Sequence, residues 1–95
     1  MQVSSNIQAM RAAMVEFSAS AHNVANASTE GFKTVEVSRI EGPGGPEVMT
    51  RRSEHGTDLS EEMVKQMRSV YDFKANAKVI KFQDEMIGTV VNMMA

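Results

Sequence analysis

The side chains able to do acid–base or metal chemistry are few and dispersed. The chain carries two histidines, His22 and His55, and no cysteine. In the stretch RRSEHGTD (Arg51–Asp58), Glu54, His55 and Asp58 could in principle ligate a divalent ion, since carboxylate and imidazole donors suit one. No second histidine stands at ligand spacing and there is no HExxH, so the preferred reading is a solvated loop leading into a helix cap. Glu61–Glu62 and Asp84–Glu85 are paired acids that read as helix-terminus and surface charges. Arg51 and Arg52 read as a solvated strand or loop edge. GxGxxG, GxxxxGK[ST] and GxSxG are all absent, and Gly42-Pro43-Gly44-Gly45 is a turn cluster with no Lys-bearing strand-to-helix transition after it. The expectation is therefore no catalytic residues, no cofactor, no metal and no enzyme.

The elements that would position any site are set by composition. With 95 residues the chain is a single domain near the size where a lone core is marginal. Hydrophobic residues make up 42% but aromatics only 5%, and nine Met supply much of the apolar surface. Met is flexible and tolerates variable packing, so such a chain builds helix seams more readily than a rigid core. A net charge of −2 and a pI near 5.6 argue against nucleic acid as a partner, which calls for a basic face. Without cysteine there are no disulfides and no thiol chemistry. Nothing approaches the ~20 apolar residues of a membrane span, and the N-terminal pattern, interrupted by Arg11 and Glu16, lacks the form of a signal peptide.

Three segments follow from periodicity, taken as residues 1–27, 28–57 and 58–95 of one structural domain. In the first, Val3, Ile7, Met10, Met14, Phe17, Ala21 and Val24 recur at alternating spacings of four and three. That is the 3.5-residue period of a helix seam. Ser5 with Gln8 three residues on reads as a capping box. In the middle, Thr34–Ile40 alternates like a short strand and Val48–Thr50 like a returning one, with EGPGGPE (Glu41–Glu47) breaking regular structure between them. An isolated two-stranded hairpin is marginal in water, so it must lean on the helices or be mobile. In the third, Asp58 and Glu61 form a second capping box before an uninterrupted helix to about Met93. That helix would span roughly 50 Å, too long for a globule of this size.

The long helix has two apolar tracks. Leu59, Met63, Val70, Phe73, Ala77, Ile80, Ile87, Val91 and Met94 share one, with Gln66 and Asp84 as polar breaks. Val79, Phe82, Met86, Val90 and Met93 share the other. One partner helix cannot cover both, so the expectation is that the first track packs on the Val3–Val24 stripe within the chain. The second track would then meet neighbouring subunits. The fold expected is mainly α: long N- and C-terminal helices pairing as an antiparallel coiled-coil hairpin, with a short β-hairpin or irregular insert.

The end of the first helix carries Asn23-Val24-Ala25-Asn26-Ala27-Ser28-Thr29-Glu30-Gly31-Phe32-Lys33. The C-terminal segment runs DLSEEMVKQMRSVYDFKANAKVIKFQDEMIGTVVNM (Asp58–Met93). It has Glu61-Glu62-Met63, Tyr71, Ala75-Asn76-Ala77-Lys78 and Asp84-Glu85-Met86 along it. Together these two stretches, at opposite ends of one chain, resemble the axial proteins of the bacterial flagellum: the rod, hook and hook-associated subunits. The residues carrying the N-terminal likeness are Asn23, Ala25, Asn26, Thr29, Gly31, Phe32 and Lys33, and Asn76 belongs to the C-terminal one. The resemblance is to a minimal rod subunit, because only a short insert stands where larger members carry β-rich domains.

That resemblance implies a structural protein of the basal-body axis, in its periplasmic part. It implies export unfolded through the flagellar type III apparatus without a cleaved signal peptide, and helical assembly with itself and other axial subunits. The short connection also allows helix exchange into a homo-oligomer. A helical-hairpin adaptor that binds a partner helix is the alternative reading from the stripes alone. From the residues themselves, Gly31 before Phe32 fits a turn with positive φ, and Asn23 and Asn26, poor helix formers, suit a helix end where their amides can cap or bond a neighbour.

Overall fold

The structure, a computed structural model, describes residues 3–94. It is mainly helical, with helix α1 (Val3–Ala25), strands β1 (Val35–Gly42) and β2 (Gly45–Arg52), and helix α2 (Leu59–Met94). The helices are antiparallel: Ser20 and Asn23 near the end of α1 both bond to Glu62 in the first turn of α2. Asp58 is the N-cap of α2, its Oδ1 accepting from the Glu61 amide at 3.2 Å. Glu61 itself turns to Lys65 one turn on, at 3.3 Å.

The Ser5–Gln8 capping box is corrected. The chain is already helical at Val3, so Ser5 lies inside α1, and its hydroxyl donates to the Gly44 carbonyl at the hairpin tip at 3.4 Å. The extent of the hairpin is also corrected. EGPGGPE does not interrupt the strands: Glu41 pairs with Pro46, and Gly42 with Gly45, around a two-residue turn. Pro46 fits because ladder bonds alternate in an antiparallel pair. One position past the closing Gly42–Gly45 pair, the backbone nitrogen of β2 points away from β1. Gly45 has φ +127° and a Cβ there would come within 3.2 Å of the Ser5 Cα, so the tip can seat on α1 only with glycine at this position.

The hairpin leans along α1, and α2 lies on the other flank of α1. Three rods side by side make a slab whose Cα extents are 64 × 24 × 13 Å. A single layer has almost no interior. Among the described residues the buried apolar side chains are Ala12 and Ala13, while Ser20, Asn23, Thr34, Glu62 and Ser69 are buried polar ones.

This arrangement corrects the helix seam. The most buried side chains at the α1–α2 contact are small or polar: Ala13 and Ser20 on α1, and Glu62 and Ser69 on α2, with Asn76 half-buried seven residues on. The expected α1 stripe is rotated about one residue away from α2. Ile7, Met14, Phe17, Ala21 and Val24 are exposed, and Met10 is half-buried; the side chain of Val3 lies outside the described residues. On α2, Phe73, Ala77 and Ile80 do sit half-buried at the seam. Leu59, Met63, Val70, Ile87, Val91 and Met94 are exposed. The cause is that α1 must serve two neighbours at once. Its Ala12–Val15 flank takes the hairpin at Pro46 and Val48, its Ala13–Ser20 flank takes α2, and the bulky stripe is left on the third side.

Candidate functional site

The residues from Asn23 to Lys33 fold into a polar junction. The buried Asn23 carboxamide, 1% exposed, accepts from the Val35 amide at 2.8 Å and donates to the Val35 carbonyl at 3.0 Å. Those two bonds imitate a strand partner on the outer edge of β1. The same amide nitrogen donates to Glu62 Oε1 at 3.1 Å, and the Asn23 carbonyl accepts from the Thr57 hydroxyl at 2.9 Å. One side chain thus ties the end of α1 to the start of the hairpin and the start of α2. Thr34 adds a second tie, with its amide to the His55 carbonyl at 3.1 Å and its hydroxyl against Ser53 at 2.5 Å.

The rest of the motif shapes the turn. Asn26 Nδ2 donates to the His22 carbonyl at 3.0 Å, closing the helix end. The Thr29 hydroxyl donates to Asn26 Oδ1, the Phe32 amide bonds to the Thr29 carbonyl, and Gly31 takes φ +74° as its place before Phe32 predicts. Phe32 then lies edge-on to His22 with ring centroids 5.5 Å apart, under the Arg52 guanidinium at 5.7 Å. Ala25 and Lys33 are exposed. Asn76 is half-buried near the seam, and its amide donates to the Asp72 carbonyl one turn back.

Glu62 is the residue that sequence reasoning misplaced. Read as a solvated helix-start acid, it is 2% exposed, with Oε1 taking Asn23 and Lys65 and Oε2 finding no donor among the described residues. Burial pulls the Lys65 ammonium down, but the carboxylates of Glu62 and Glu61 outweigh it and hold Lys65 above its ordinary value. The signal for Glu62 was its spacing: it begins a seven-residue series through Ser69 and Asn76 whose small and polar members carry no hydrophobic mark.

Glu54, His55 and Asp58 are not brought together as a ligand set, and no group of three His, Asp or Glu among the described residues could hold a metal ion. Asp58 is used as the helix cap. His55 Nδ1 donates to the Gly56 carbonyl at 3.0 Å and Nε2 faces Glu36 at 3.3 Å, so both ring nitrogens are placed as donors. The hydrogen bond to the Gly56 carbonyl is the largest influence and raises the His55 pKa; desolvation, the next, opposes it, and Glu36 adds to the rise. Glu36 in turn is lowered, first by its hydrogen bonds from Arg51 and further by His55.

The apolar side chains form the other surface of note. Opposite the hairpin, α1 and α2 bound an open groove of about 330 Å³ lined by Ala13, Met14, Phe17, Ser18, Ser69, Val70, Phe73 and Lys74. It continues past Met67 and Tyr71. All five residues of the second track, Val79, Phe82, Met86, Val90 and Met93, are exposed. No helix among the described residues is long and apolar enough to cross a membrane. Compared with protein-family models and with curated proteins, the chain gives no match in either case.

Proposed function

We propose that this chain is a structural subunit of the bacterial flagellar axis, of the minimal rod type, assembling through its terminal helices with itself and with other axial subunits. The observation that carries the assembly reading is the inverted distribution of apolar side chains. Among the described residues, twenty large hydrophobic side chains are exposed, while the buried apolar ones are two alanines. Monomeric proteins rarely leave large contiguous apolar patches open, and such patches mark interaction sites; here Met14, Phe17, Val70 and Phe73 line one open groove and Met86, Ile87, Val90 and Val91 another. The flagellar assignment rests on the likeness of the Asn23–Lys33 and Asp58–Met93 stretches to that family.

The thin slab also suits a subunit exported unfolded through a type III apparatus and placed in the periplasmic part of the basal body. A chain that buries so little apolar area alone is cheap to unfold, and gains its stability where neighbours cover it. The adaptor reading keeps one specific observation in its favour: the groove at Met14, Phe17, Val70 and Phe73 is open along its length, as a guest helix requires. Sedimentation velocity across a concentration series separates the two. Open-ended growth in weight-average mass is the expected result. A monomer at all concentrations that takes up one helical peptide at one-to-one stoichiometry would replace the subunit reading with the adaptor.

A further inference from the structure

Two uncovered features of this fold have complementary shapes. Asn23 meets Glu62 and the helices run antiparallel. Stepping one residue down α1 for each residue up α2 brings the start of α1 opposite about Phe82. The remaining dozen or so residues of α2, roughly 18 Å of helix, project past α1. In this overhang the seam line changes character. Below it lie Glu62, Ser69 and Asn76; beyond Gln83 the same seven-residue line reaches Val90, with Ile87 and Met94 about one turn to either side, all three exposed. Met86, Val91 and Met93 flank them, so the overhang is apolar over much of its circumference, and an all-round apolar helix is one that gets covered. Its charges, Asp84 and Glu85, stand at its root, and no side chain from Met86 to Met94 is charged.

The second feature is the groove, with Ala13, Ser18 and Ser69 leaving a low floor between walls made by Met14, Phe17, Val70 and Phe73, and with Lys74 on its rim. From Gln66 to Lys74 the α2 wall is about 13 Å long, enough to seat roughly three-quarters of the overhang. A low floor between two bulky walls admits a helix as guest, and Lys74 offers a cation to Asp84 or Glu85.

We infer that the overhang of one copy lies in the α1–α2 groove of the next, a head-to-tail contact between copies of this chain. This rests on the self-assembly reading above and specifies its geometry. Two copies meeting overhang to overhang would bury Ile87, Val91 and Met94 but leave the groove open on both. A single head-to-tail contact fills both features. Because the two surfaces differ, the contact does not close on itself as a two-fold dimer and propagates instead. Met86, Ile87, Val90, Val91, Met93 and Met94 are each about half exposed or more. At roughly 100 Å² apiece that is about 600 Å² on the overhang side, below the ~800 Å² per partner of a stable interface. One such contact is weak, and the series of subunits holds through repetition.

The chain has no cysteine, so single thiols report the geometry directly. Ser18→Cys places one in the groove and Gly88→Cys one on the overhang, where a Cβ meets nothing within 4 Å. The two full-length variants, mixed and treated with a short bismaleimide, are read by gel and peptide mapping, with unmodified protein sedimented in parallel. The expected result is an S18C–G88C product exceeding either self-linked product by tenfold or more. Predominant G88C–G88C or S18C–S18C products would overturn the head-to-tail geometry, as would assembly without any cross-link, and both would leave self-assembly standing. Absence of any assembly in sedimentation would remove the self-assembly reading together with this inference. As a second readout, Val91→Asp lies outside the helical hairpin and is expected to keep the parent helicity while losing the mixed cross-link; an unchanged yield would also refute the contact.

Discussion

Replacing Asn23 by alanine tests the junction most directly, because one truncation removes three hydrogen bonds from a buried site. The two bonds to the Val35 peptide, at 2.8 and 3.0 Å, are neutral and contribute about 1 kcal/mol each, and the bond to Glu62 at 3.1 Å, made to a charged group, about 1.5–3 kcal/mol. Alanine recovers about 0.6 kcal/mol of helix propensity. The net expectation is a loss of about 3–4 kcal/mol, much of it the cost of stranding a buried carboxylate whose remaining partner is Lys65 at 3.4 Å. Urea unfolding followed by far-ultraviolet circular dichroism, at a concentration where the chain is monomeric, gives the value. Glu62→Gln supplies the control, since neutralising the stranded group relieves part of the penalty. The Asn23→Ala/Glu62→Gln cycle should then show a coupling of about 1–2 kcal/mol. Two outcomes would refute the reasoning: an Asn23→Ala protein within about 0.5 kcal/mol of the parent, or a cycle additive to within about 0.3–0.5 kcal/mol.

Three further outcomes are expected. His55 is raised by the Gly56 carbonyl and by Glu36, so its contribution to stability is full below its ordinary pKa of about 6.5 and is lost as pH rises through the folded-state value. In Glu36→Gln the His55 titration measured by NMR should move down but remain above the ordinary value, because the Gly56 bond persists; a return all the way would contradict the order of causes. Ile80→Asp puts a charge at the half-buried seam and should cost about 2–3 kcal/mol. Met86→Asp, on the exposed overhang, should leave the melting curve of the monomer intact and weaken self-association in sedimentation; identical behaviour of the two would dissolve the distinction between seam and outer surface. Gly31→Ala should cost about 1–2 kcal/mol and Gly31→Asn less, since Gly31 needs a left-handed φ that asparagine tolerates. A Cβ there meets nothing within 4 Å, which makes the cost purely conformational.

How far the sequence carries depends on which signal each feature leaves. The two helices, their caps at Asp58 and Asn26, the turn at Gly31 and the existence of a hairpin are local in origin, and local patterns place them. The strands run further than the sequence pattern implies, because Pro46 and three glycines have the composition of breakers, whereas Pro46 falls at an outward position of the ladder and Gly45 lets the tip approach Ser5. The seam was the larger miss. A hydrophobic stripe says that a surface will be covered but not by what, and here Ile7, Met14 and Phe17 are not covered within the chain. The contact that does form uses Ala13, Ser20 and Ser69, which permit close helix approach, and Glu62 and Asn23, which supply directional bonds. Residues of those types leave no apolar period to find. Asn23 was visible as an oddity, a poor helix former at a helix end, but its bonds to Val35 and Glu62 required the antiparallel register.

The rotation of the seam has a thermodynamic consequence. Had the Val3–Val24 stripe packed on the Leu59–Met94 track, the monomer would have gained its stability from apolar burial and kept little to offer a neighbour. With the polar junction holding the register instead, the fold is specified by bonds that are directional but contribute modestly in net terms. Each large side chain then covered by a neighbouring copy is worth about 1.5–3 kcal/mol when fully buried. Much of that gain is offset by the cost of association, about 4–15 kcal/mol, so one contact is weak and stabilisation accumulates with the number of neighbours. Anything that binds the folded state alone shifts unfolding by mass action. The overhang of α2 is where the two regimes meet: at Phe82 the helix still lies opposite the start of α1, and from Ile87 on its apolar side chains are exposed, with nothing among the described residues packed against them. A truncation after Gln83 should therefore leave the monomer's urea midpoint nearly unchanged at low concentration and abolish the rise in that midpoint that the full chain shows as concentration increases. If the truncated chain instead loses stability at low concentration, the overhang belongs to the monomer's fold, and the separation between folding and assembly drawn from the seam is wrong.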